Sequence, residues 1–434
     1  MTELQIAGIF IAILLAMILM RIPIGISLIA VSFGGLWSMF NWNIAWGSLG
    51  IVPYSFANSW VLSSIPAFLF MGFICYHTRL TQGLFNAAQI WLSSLPGGLA
   101  IASVFGCAGF AAVTGSSVAC SAAMGKIAVP EMVRHRYSPE LATGTVAAAG
   151  TIGALIPPSI LMILYGVFAE TSITQVFVGG IGIGLVTAVS YCAVILLISL
   201  FRPDVVPPRV AAPESGTTRS AVLNVLPILA LIVLVFGGLF AEFFSATEAG
   251  AVGALGTIII SAVTRRLTRE VISPSLLETV TTTGSLFIIA VGASMFTRFL
   301  GLSGLSGFIN SWVAGADLTY VQLMLIVVLI YLALGTFMEP VGAMLVTLPV
   351  FLPVLQNEGL SLVWFGVLVV KLLEIGMITP PVGLNVFVIK NVAYKYVTTA
   401  QIFAGVIPFL LADLVVVILT IAFPAAVLFL PGLL

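Results

Sequence analysis

The sequence predicts an all-α polytopic membrane protein with two inverted repeats, each containing a re-entrant helical hairpin and a broken helix. Composition is the first observation behind this prediction: 61% of the 434 residues are hydrophobic and only 7% are charged, against about 25% charged in an average soluble domain. A mean hydropathy of +1.24 indicates that the solvent is a lipid bilayer. With 15 basic and 15 acidic residues in balance, the composition excludes soluble enzymes and nucleic-acid binding.

Apolar runs between polar breaks predict ten membrane crossings, since about 20 apolar residues span a bilayer. The crossings are expected at 4–20, 24–40, 62–78, 140–168, 176–200, 223–241, 245–264, 278–298, 361–389 and 403–429. The first run has no basic segment before it and no small-residue cleavage site after it. We therefore expect a retained helix and not a signal peptide.

Two longer apolar runs, 98–130 and 321–353, predict the re-entrant hairpins. A single helix of either length would be about 50 Å long, well beyond a bilayer core of about 30 Å. The first run has Thr114 to Ser117 at its centre, and the second has Gly335 to Pro340. Non-helical backbone at membrane depth is tolerated only where it is buried in protein or lines a cavity. We therefore expect the two hairpin tips to line a cavity.

Basic residues orient the crossings, because Lys and Arg accumulate in short cytoplasmic loops. With the N-terminus outside, all basic residues except Lys126, Arg298 and Lys371 fall inside. The acidic residues then expected outside are Glu170, Glu242, Asp317 and Glu358. Both termini are therefore expected to be periplasmic, and the hydrophilic connector 202–222 to be cytoplasmic.

Landmark residues recur in the same order in the two halves, which predicts an internal duplication. The pairs matched at a separation of 223 residues are Pro130 and Pro353, Ser138 and Ser361, Gly153 and Gly376, and Pro157-Pro158 and Pro380-Pro381. Five crossings, an odd number, lie between the hairpins, so equivalent elements are expected to have opposite orientations. Secondary transporters are commonly built in this way. A chance match among Gly- and Pro-rich helices is the alternative.

The paired Gly-x-x-x-Pro-Pro motifs predict two Na⁺ sites. Each first proline displaces the carbonyl four residues back, at Gly153 or Gly376, and broken helices of this kind coordinate Na⁺ through neutral oxygens. The expected ligands are Thr114, Gly115, Ser117, Gly153, Ile156 and Pro157 in the first half, and Gly335, Thr336, Gly376, Thr379 and Val382 in the second. Ordinary proline kinks are the alternative.

Among the few charged residues in the predicted crossings and hairpins, Arg298, Glu339, Lys371, Glu374 and Asp413 are the functional candidates. Charge inside a membrane is a functional hypothesis by default, yet Lys371 and Glu374 stand at i and i+3 and are able to neutralise each other on one helix face. Proton coupling through Glu339 or Glu374 is the alternative to Na⁺ coupling. The sequence contains neither GxxxxGK[ST] nor HExxH, so no enzymatic activity is expected.

These motifs resemble the large membrane subunit, the DctM-like protein, of tripartite ATP-independent periplasmic (TRAP) transporters. The matching segments are 114–117, 130–132, Tyr137, 150–159, 165–166, 170–173, Gly335, Glu339, Pro349, Pro353 and 374–385. The resemblance covers essentially the whole chain.

The resemblance implies the channel-forming subunit of a Na⁺-driven importer in the bacterial inner membrane, with an elevator-type architecture and about two coupling Na⁺ ions. Its expected partners are a small four-helix membrane subunit and a periplasmic solute-binding protein. The solute would be a dicarboxylate, a sugar acid or sialic acid. The residues expected to contact it are Ser116, Ser117, Ser159, Thr336 and Asn385. A stand-alone ion-coupled anion symporter of the wider ion-transporter group is the alternative.

The expected organisation has seven parts. Scaffold and arm helices occupy 1–97 and 223–320, and the outer helices 4–40 and 223–264 are expected to meet the small subunit. The two transport elements, each a hairpin with its broken helix, occupy 98–168 and 321–389. The remaining parts are a helix that closes the first repeat at 169–201, the connector at 202–222 and a C-terminal helix at 390–434.

Overall fold

The computed structural model describes residues 2–92, 94–207, 218–316 and 318–433, and no β-strand occurs in these ranges. An apolar chain in lipid must satisfy its backbone polar groups within each segment, which favours helices. Eight helices in the described ranges are long and apolar enough to cross a bilayer. The predicted class, an all-α polytopic membrane protein, is therefore confirmed. The predicted loop residues Arg209 and Asp317, and positions 208–217 of the connector, lie outside the described residues.

The first half contains ten helices in its described residues. They are α1 (Glu3–Leu19), α2 (Ile24–Met39), α3 (Trp42–Ala57), α4 (Ser64–His77), α5 (Gln82–Leu92), α6 (Gly98–Thr114), α7 (Ser117–Arg134), α8 (Pro139–Gly150), α9 (Ile160–Phe168) and α10 (Ile173–Phe201).

The second half contains eleven helices in its described residues, with a π-helical turn at Val233–Gly237. They are α11 (Thr218–Ile232), α12 (Gly238–Phe240), α13 (Ala246–Val263), α14 (Arg269–Leu302), α15 (Leu305–Gly315), α16 (Tyr320–Phe337), α17 (Pro340–Asn357), α18 (Leu362–Gly376), α19 (Leu384–Val392), α20 (Thr399–Ala422) and α21 (Pro424–Leu428).

Helix bounds in the two halves recur at the separation that the sequence landmarks show. The hairpin arm α7 runs from Ser117 to Arg134, and α17 runs from Pro340 to Asn357, which places both ends 223 residues apart. The short helices α5 and α15 have the same separation at both ends. Two helix pairs thus share this separation, while the duplication and the relative orientation of the two halves stay predictions.

Three helices were not expected from the apolar runs. The helices α5 and α15 have 11 residues each, with apolar and polar residues on opposite faces, so they are too short to register as crossings. The third, α3, is interrupted in composition by Asn43, Ser48 and Pro53. In addition, α14 extends well beyond the predicted 278–298, and the predicted crossing 403–429 divides at Phe423 into α20 and α21.

Each predicted broken helix is interrupted at its Pro-Pro pair. After α8, one 3₁₀ turn at Thr151–Ala154 leads into an irregular segment that ends where Ser159 caps α9. Between α18 and α19 the irregular segment contains Pro380-Pro381. Both Pro-Pro peptide bonds are cis. Because proline supplies no amide donor, backbone carbonyls in these segments lack regular helical partners.

The two halves pack crosswise around these breaks. Gly144 of α8 lies against Gly405 of α20, where a side chain on either glycine would collide with backbone of the other helix. In the equivalent contact, Gly179 of α10 lies against Val367 of α18, with Val367 Cγ2 3.2 Å from where a Gly179 Cβ would be. The helix before each break is therefore supported by the other half of the chain.

Candidate functional site

The first hairpin, formed by α6 and α7, turns at a residue that must be glycine. Gly115 has a φ of +60°, which favours glycine, and a side chain there would collide with the Pro158 carbonyl oxygen. Ser116 then caps α7, because its hydroxyl accepts a hydrogen bond from the Ala119 amide at 3.4 Å. The first tip is thus pressed against the break between α8 and α9.

The same tip also contacts the N-terminal side of this break. A methyl group added to Gly153 would lie 2.9 Å from the Ser117 Cα. Thr114 Oγ1 donates to the Phe110 carbonyl at 3.0 Å, which leaves lone pairs on the hydroxyl oxygen. The predicted first-half ligands that meet here are Thr114, Gly115, Ser117 and Gly153, while Ile156 and Pro157 lie in the irregular segment itself.

The second hairpin, formed by α16 and α17, meets the second break in the same way. A methyl group added to Gly376 would lie 2.6 Å from the Gly335 Cα. Thr336 Oγ1 donates to the Leu332 carbonyl at 2.7 Å, and Thr379 Oγ1 donates to the Ile375 carbonyl at 2.7 Å. The predicted second-half ligands in this region are Gly335, Thr336, Gly376 and Thr379, with Val382 later in the irregular segment.

One detail of the predicted second site is wrong. The sequence predicts that Pro380 frees the Gly376 carbonyl, but the Thr379 amide donates to this carbonyl at 3.1 Å. The chain tightens into an i to i+3 turn before the proline. This turn gives the Gly376 carbonyl one hydrogen bond. A carbonyl oxygen has two lone pairs, so one of them stays available to a ligand.

A cavity of about 140 Å³ separates the two tips. Its lining comes from both tips, both broken helices and α14. The polar side chains in this lining are Ser116, Ser117, Thr282, Glu339 and Glu374, and the lining contains no Lys, Arg or His. The Glu339 carboxylate accepts a hydrogen bond from the Gly342 amide at 3.1 Å, which caps α17.

The predicted solute-contacting residues divide into two groups. Ser116 and Ser117 line the cavity, whereas Ser159, Thr336 and Asn385 are not part of its lining. The Ser159 side chain is fully buried and caps α9. Asn385 is also fully buried, and neither polar atom of its amide side chain has a hydrogen-bond partner among the described residues.

Two larger cavities extend away from the tip cavity. The nearer one has a volume of about 430 Å³ and shares Ser116 and Thr282 with it. The farther one, of about 640 Å³, shares Tyr76 with the nearer one and is lined by Arg79 and Lys126. The three cavities therefore form a series from the hairpin tips towards the predicted cytoplasmic residue Arg79.

Lys371 pairs with Asp413 and not with Glu374. The Lys371 Nζ lies 2.5 Å from Asp413 Oδ1, and both side chains are fully buried. The Tyr191 hydroxyl lies 2.8 Å from each oxygen of the same carboxylate, and Thr151 Oγ1 lies 3.2 Å from that hydroxyl. The predicted neutralisation of Glu374 by Lys371 is therefore wrong, because Asp413 on α20 reaches the ammonium group first.

The sequence motifs do not indicate roles for Tyr191, Thr151 and Thr282. Each becomes part of the site or its support through contacts between distant segments, which residue spacing does not reveal. One of them could have been found from the sequence: Thr151 stands 223 positions before Glu374, the same separation as the landmark pairs, so it occupies the position equivalent to Glu374 in the first half.

The donor set around the tips consists of hydroxyl, carbonyl and carboxylate oxygens. In the described part of the chain, no group of three or more His, Cys, Asp or Glu side chains is placed to hold a metal ion. Such oxygen atoms suit a hard cation and not a soft transition metal. The residues present therefore fit the predicted coupling ion, Na⁺.

The sequence matches the model of one protein family over nearly its whole length. The model of the family described as "Tripartite ATP-independent periplasmic transporter, DctM component" matches residues 11–426.

Individual proteins give matches of similar extent. The chain is 34% identical over 387 residues to the C4-dicarboxylate TRAP transporter large permease protein DctM of Pseudomonas aeruginosa, covering 89% of each chain. It is 29% identical to the sialic acid TRAP transporter permease protein SiaT of Haemophilus influenzae, covering 99% of this chain and 69% of that protein. Among solved structures, the YdaH transporter of Alcanivorax borkumensis aligns with a TM-score of 0.62 at 16% identity, covering 90% of this chain and 89% of the other. That last likeness concerns the fold alone.

Proposed function

The chain belongs to the DctM component family of tripartite ATP-independent periplasmic transporters, and we propose that it forms the translocation channel of a Na⁺-coupled, binding-protein-dependent importer. Membership of this family makes it a transporter permease subunit, and its apolar helices make it a multi-pass membrane protein.

The observation that carries Na⁺ coupling is the repeated contact between a hairpin tip and a broken helix. In the first half Ser117 meets Gly153, and in the second half Gly335 meets Gly376. Glycine at each contact lets backbone oxygens approach closely, and hydroxyl groups of Thr114 and Thr379 stand nearby. A Na⁺ ion in each contact would replace the water that such oxygens otherwise need. Protons are the alternative coupling ion, carried by Glu339 or Glu374.

The proposed solute is a small anion that bears a carboxylate group. Two relatives are named for such solutes, C4-dicarboxylate and sialic acid. The N-termini of α7 and α17 flank the tip cavity, and helix N-termini favour anions. Ser116 and Ser117 supply hydroxyl donors in the same cavity.

The proposed motion is an elevator movement of 98–168 and 321–389 against the outer helices, with the two halves in opposite orientations. A hydrogen bond between Ser117 of the first element and Glu374 of the second supports a single moving unit. The proposed scaffold, 4–40 and 223–264, meets this unit at few close contacts, one of which joins Gly342 to Ile24.

The proposed partners are a small four-helix membrane subunit and a periplasmic solute-binding protein. The family description itself names a tripartite system. Large apolar side chains on α2 and α3, among them Trp37, Trp46 and Tyr54, are exposed, which suits a surface covered by lipid or by a membrane subunit.

Uptake in proteoliposomes tests the proposal. The vesicles contain this subunit, its small membrane partner and the cognate binding protein, and a panel of dicarboxylates, sugar acids and sialic acid is offered with and without an inward Na⁺ gradient. We expect uptake only with all three components and only with the gradient. Equal uptake by this subunit alone would support a stand-alone symporter, and uptake that follows a pH gradient without Na⁺ would support proton coupling.

A further inference from the structure

Glu374 is a fully buried carboxylate with one oxygen unpaired. Its side chain has no solvent exposure, and Oε1 accepts a hydrogen bond from Ser117 Oγ at 3.0 Å. Oε2 has no hydrogen-bond partner among the described residues. An unpaired charge in such a place is strongly unfavourable unless a counter-charge is supplied or the carboxylate binds a proton.

No basic side chain within the described residues forms an ion pair with Glu374. Lys371, one turn earlier on α18, is bound to Asp413, which also accepts from Tyr191. The tip cavity that Glu374 lines contains a second carboxylate, Glu339, and no basic side chain. A cation from solution would supply the missing counter-charge.

The position of Glu374 points to one of the two proposed ion sites. Its hydrogen bond crosses from α18 in the second half to Ser117 at the first hairpin tip. Ser117 is a proposed ligand of the first Na⁺, and it lies against Gly153. A cavity of about 140 Å³ holds a cation and some of its water, since one water molecule occupies about 30 Å³ in the liquid.

We propose that Glu374 is the anionic ligand of the first-half Na⁺ site, contributed by the opposite half of the chain. The inference rests on the proposed Na⁺ coupling and adds to it an asymmetry between the two sites. The first site then has a carboxylate together with hydroxyl and carbonyl oxygens. The second site, at Gly335, Thr336, Gly376, Thr379 and Val382, keeps neutral oxygens only.

This asymmetry has a consequence for the order of binding. A carboxylate-bearing solute that enters the tip cavity would face Glu339 and Glu374 without any basic side chain in the lining. Like charges in a cavity of low dielectric repel strongly. Sodium bound at Glu374 removes one of these charges and brings a positive ion next to the solute, so Na⁺ binds before the solute does.

The test measures Na⁺ binding without transport. The thermal midpoint of the purified subunit with its small partner is followed as NaCl replaces choline chloride at constant ionic strength, because a ligand that binds only the folded state raises that midpoint. The variant Glu374→Gln keeps the size of the side chain and an acceptor for Ser117. We expect its half-saturating Na⁺ concentration to rise by about tenfold or more. Substituting a residue that supports a bound metal ion commonly lowers metal affinity by at least this factor.

The matched control is Glu339→Gln, which removes the other carboxylate of the cavity. We expect its half-saturating Na⁺ concentration to stay close to that of the unsubstituted protein, because the Glu339 carboxylate already caps α17. An unchanged value in Glu374→Gln, or equal shifts in both variants, would overturn the assignment of Glu374. If the unsubstituted protein itself shows no stabilisation by Na⁺ over choline, the proposed Na⁺ coupling fails and not this assignment alone.

A second variant keeps the test decisive if Glu374→Gln does not fold. Glu374→Asp retains the charge and withdraws it by one methylene group, which enlarges the site. We expect stabilisation by K⁺ relative to Na⁺ to increase, since a wider site suits the larger ion. An unchanged ratio of the two ions would count against a metal ion at this carboxylate.

Discussion

Lys371 and Asp413 form an ion pair in which neither side chain has any solvent exposure. The lysine comes from α18 and the aspartate from α20, and the Tyr191 hydroxyl from α10 shares the carboxylate. Three helices from both halves are thus joined at one buried point. A pair of this kind is costly to break from one side, because the remaining charge has no partner.

Breaking this pair from one side should destabilise the protein strongly. We expect Asp413→Ala to cost about 3–5 kcal/mol, seen as a lower thermal midpoint in detergent. The double variant Lys371→Met with Asp413→Leu should recover most of the loss, because no unpaired charge remains. Lys395→Ala is the control: Lys395 is exposed and contacts only the face of Tyr394 among the described aromatic rings, so its substitution should change stability by less than about 1 kcal/mol. A double variant as unstable as the single one would contradict this account.

The turn of the first hairpin should not tolerate a side chain. In Gly115→Ala, the left-handed backbone costs roughly 1–2 kcal/mol, and the methyl group collides with the Pro158 carbonyl. We expect the tip to separate from the break and Na⁺-dependent uptake to be lost. Gly304→Ala is the matched control, since Gly304 has a φ of +70° with nothing within 4 Å of the added carbon. Equal uptake by the two variants would show that the tip contact is unimportant for transport.

Hydroxyl groups at the proposed second Na⁺ site should set the apparent affinity for Na⁺. We expect Thr379→Val to raise the half-saturating Na⁺ concentration for uptake about tenfold, which corresponds to about 1.4 kcal/mol. Thr420→Val is the control, because Thr420 makes the same hydrogen bond to a carbonyl four residues back in a region remote from the tips. Ser117→Ala should act like Thr379→Val, and Glu339→Gln should keep the Na⁺ dependence. Uptake that ignores Na⁺ in the unsubstituted protein would rule out this mechanism.

Opposite orientation of the two halves can be tested at equivalent helix ends. Arg134 ends α7 and Asn357 ends α17, 223 residues apart, and both residues are exposed. We expect a cysteine in Arg134→Cys to react with an impermeant maleimide only from the cytoplasmic side, and one in Asn357→Cys only from the periplasmic side. The unsubstituted protein gives the background from its four native cysteines. Labelling of both positions from the same side would contradict an inverted repeat.

A tether between the proposed moving unit and the scaffold should stop transport. The position of a Cβ added to Gly342 on α17 lies 3.6 Å from the Ile24 Cβ on α2, within the range of about 3.5–4.5 Å that disulfides need. We expect the variant with Ile24→Cys and Gly342→Cys to lose uptake when oxidised and to regain it with a reductant, while partner binding is unaffected. The two single variants are the controls. Full uptake in the oxidised double variant would exclude an elevator movement.

The sequence was most informative where proline, glycine and the length of apolar runs constrain the backbone. The two breaks and the two hairpin turns follow from Pro157, Pro380, Gly115 and the length of the apolar runs, because these features restrict structure locally. Partners across the fold could not be predicted in the same way. Lys371 had Glu374 within reach on its own helix, yet it binds Asp413, since the packing of α18 on α20 decides which carboxylate lies closer. Likewise, Ser117 donates a hydrogen bond to Glu374 although the two residues are 257 positions apart in the sequence, so no local pattern indicates this contact.

Crosswise packing also affects how the chain is made. Gly405 leaves the ribosome about 260 residues after Gly144, a delay of roughly 10–50 s at about 5–20 residues per second. During that time α8 waits in the membrane without its partner, and its buried face consists mainly of small apolar residues such as Ala147 and Ala149, which lipid tolerates well. The buried ion pair waits for a much shorter time. Lys371 and Asp413 are only 42 residues apart, so the Lys371 ammonium group lacks its partner for roughly 2–8 s at the same rate of synthesis.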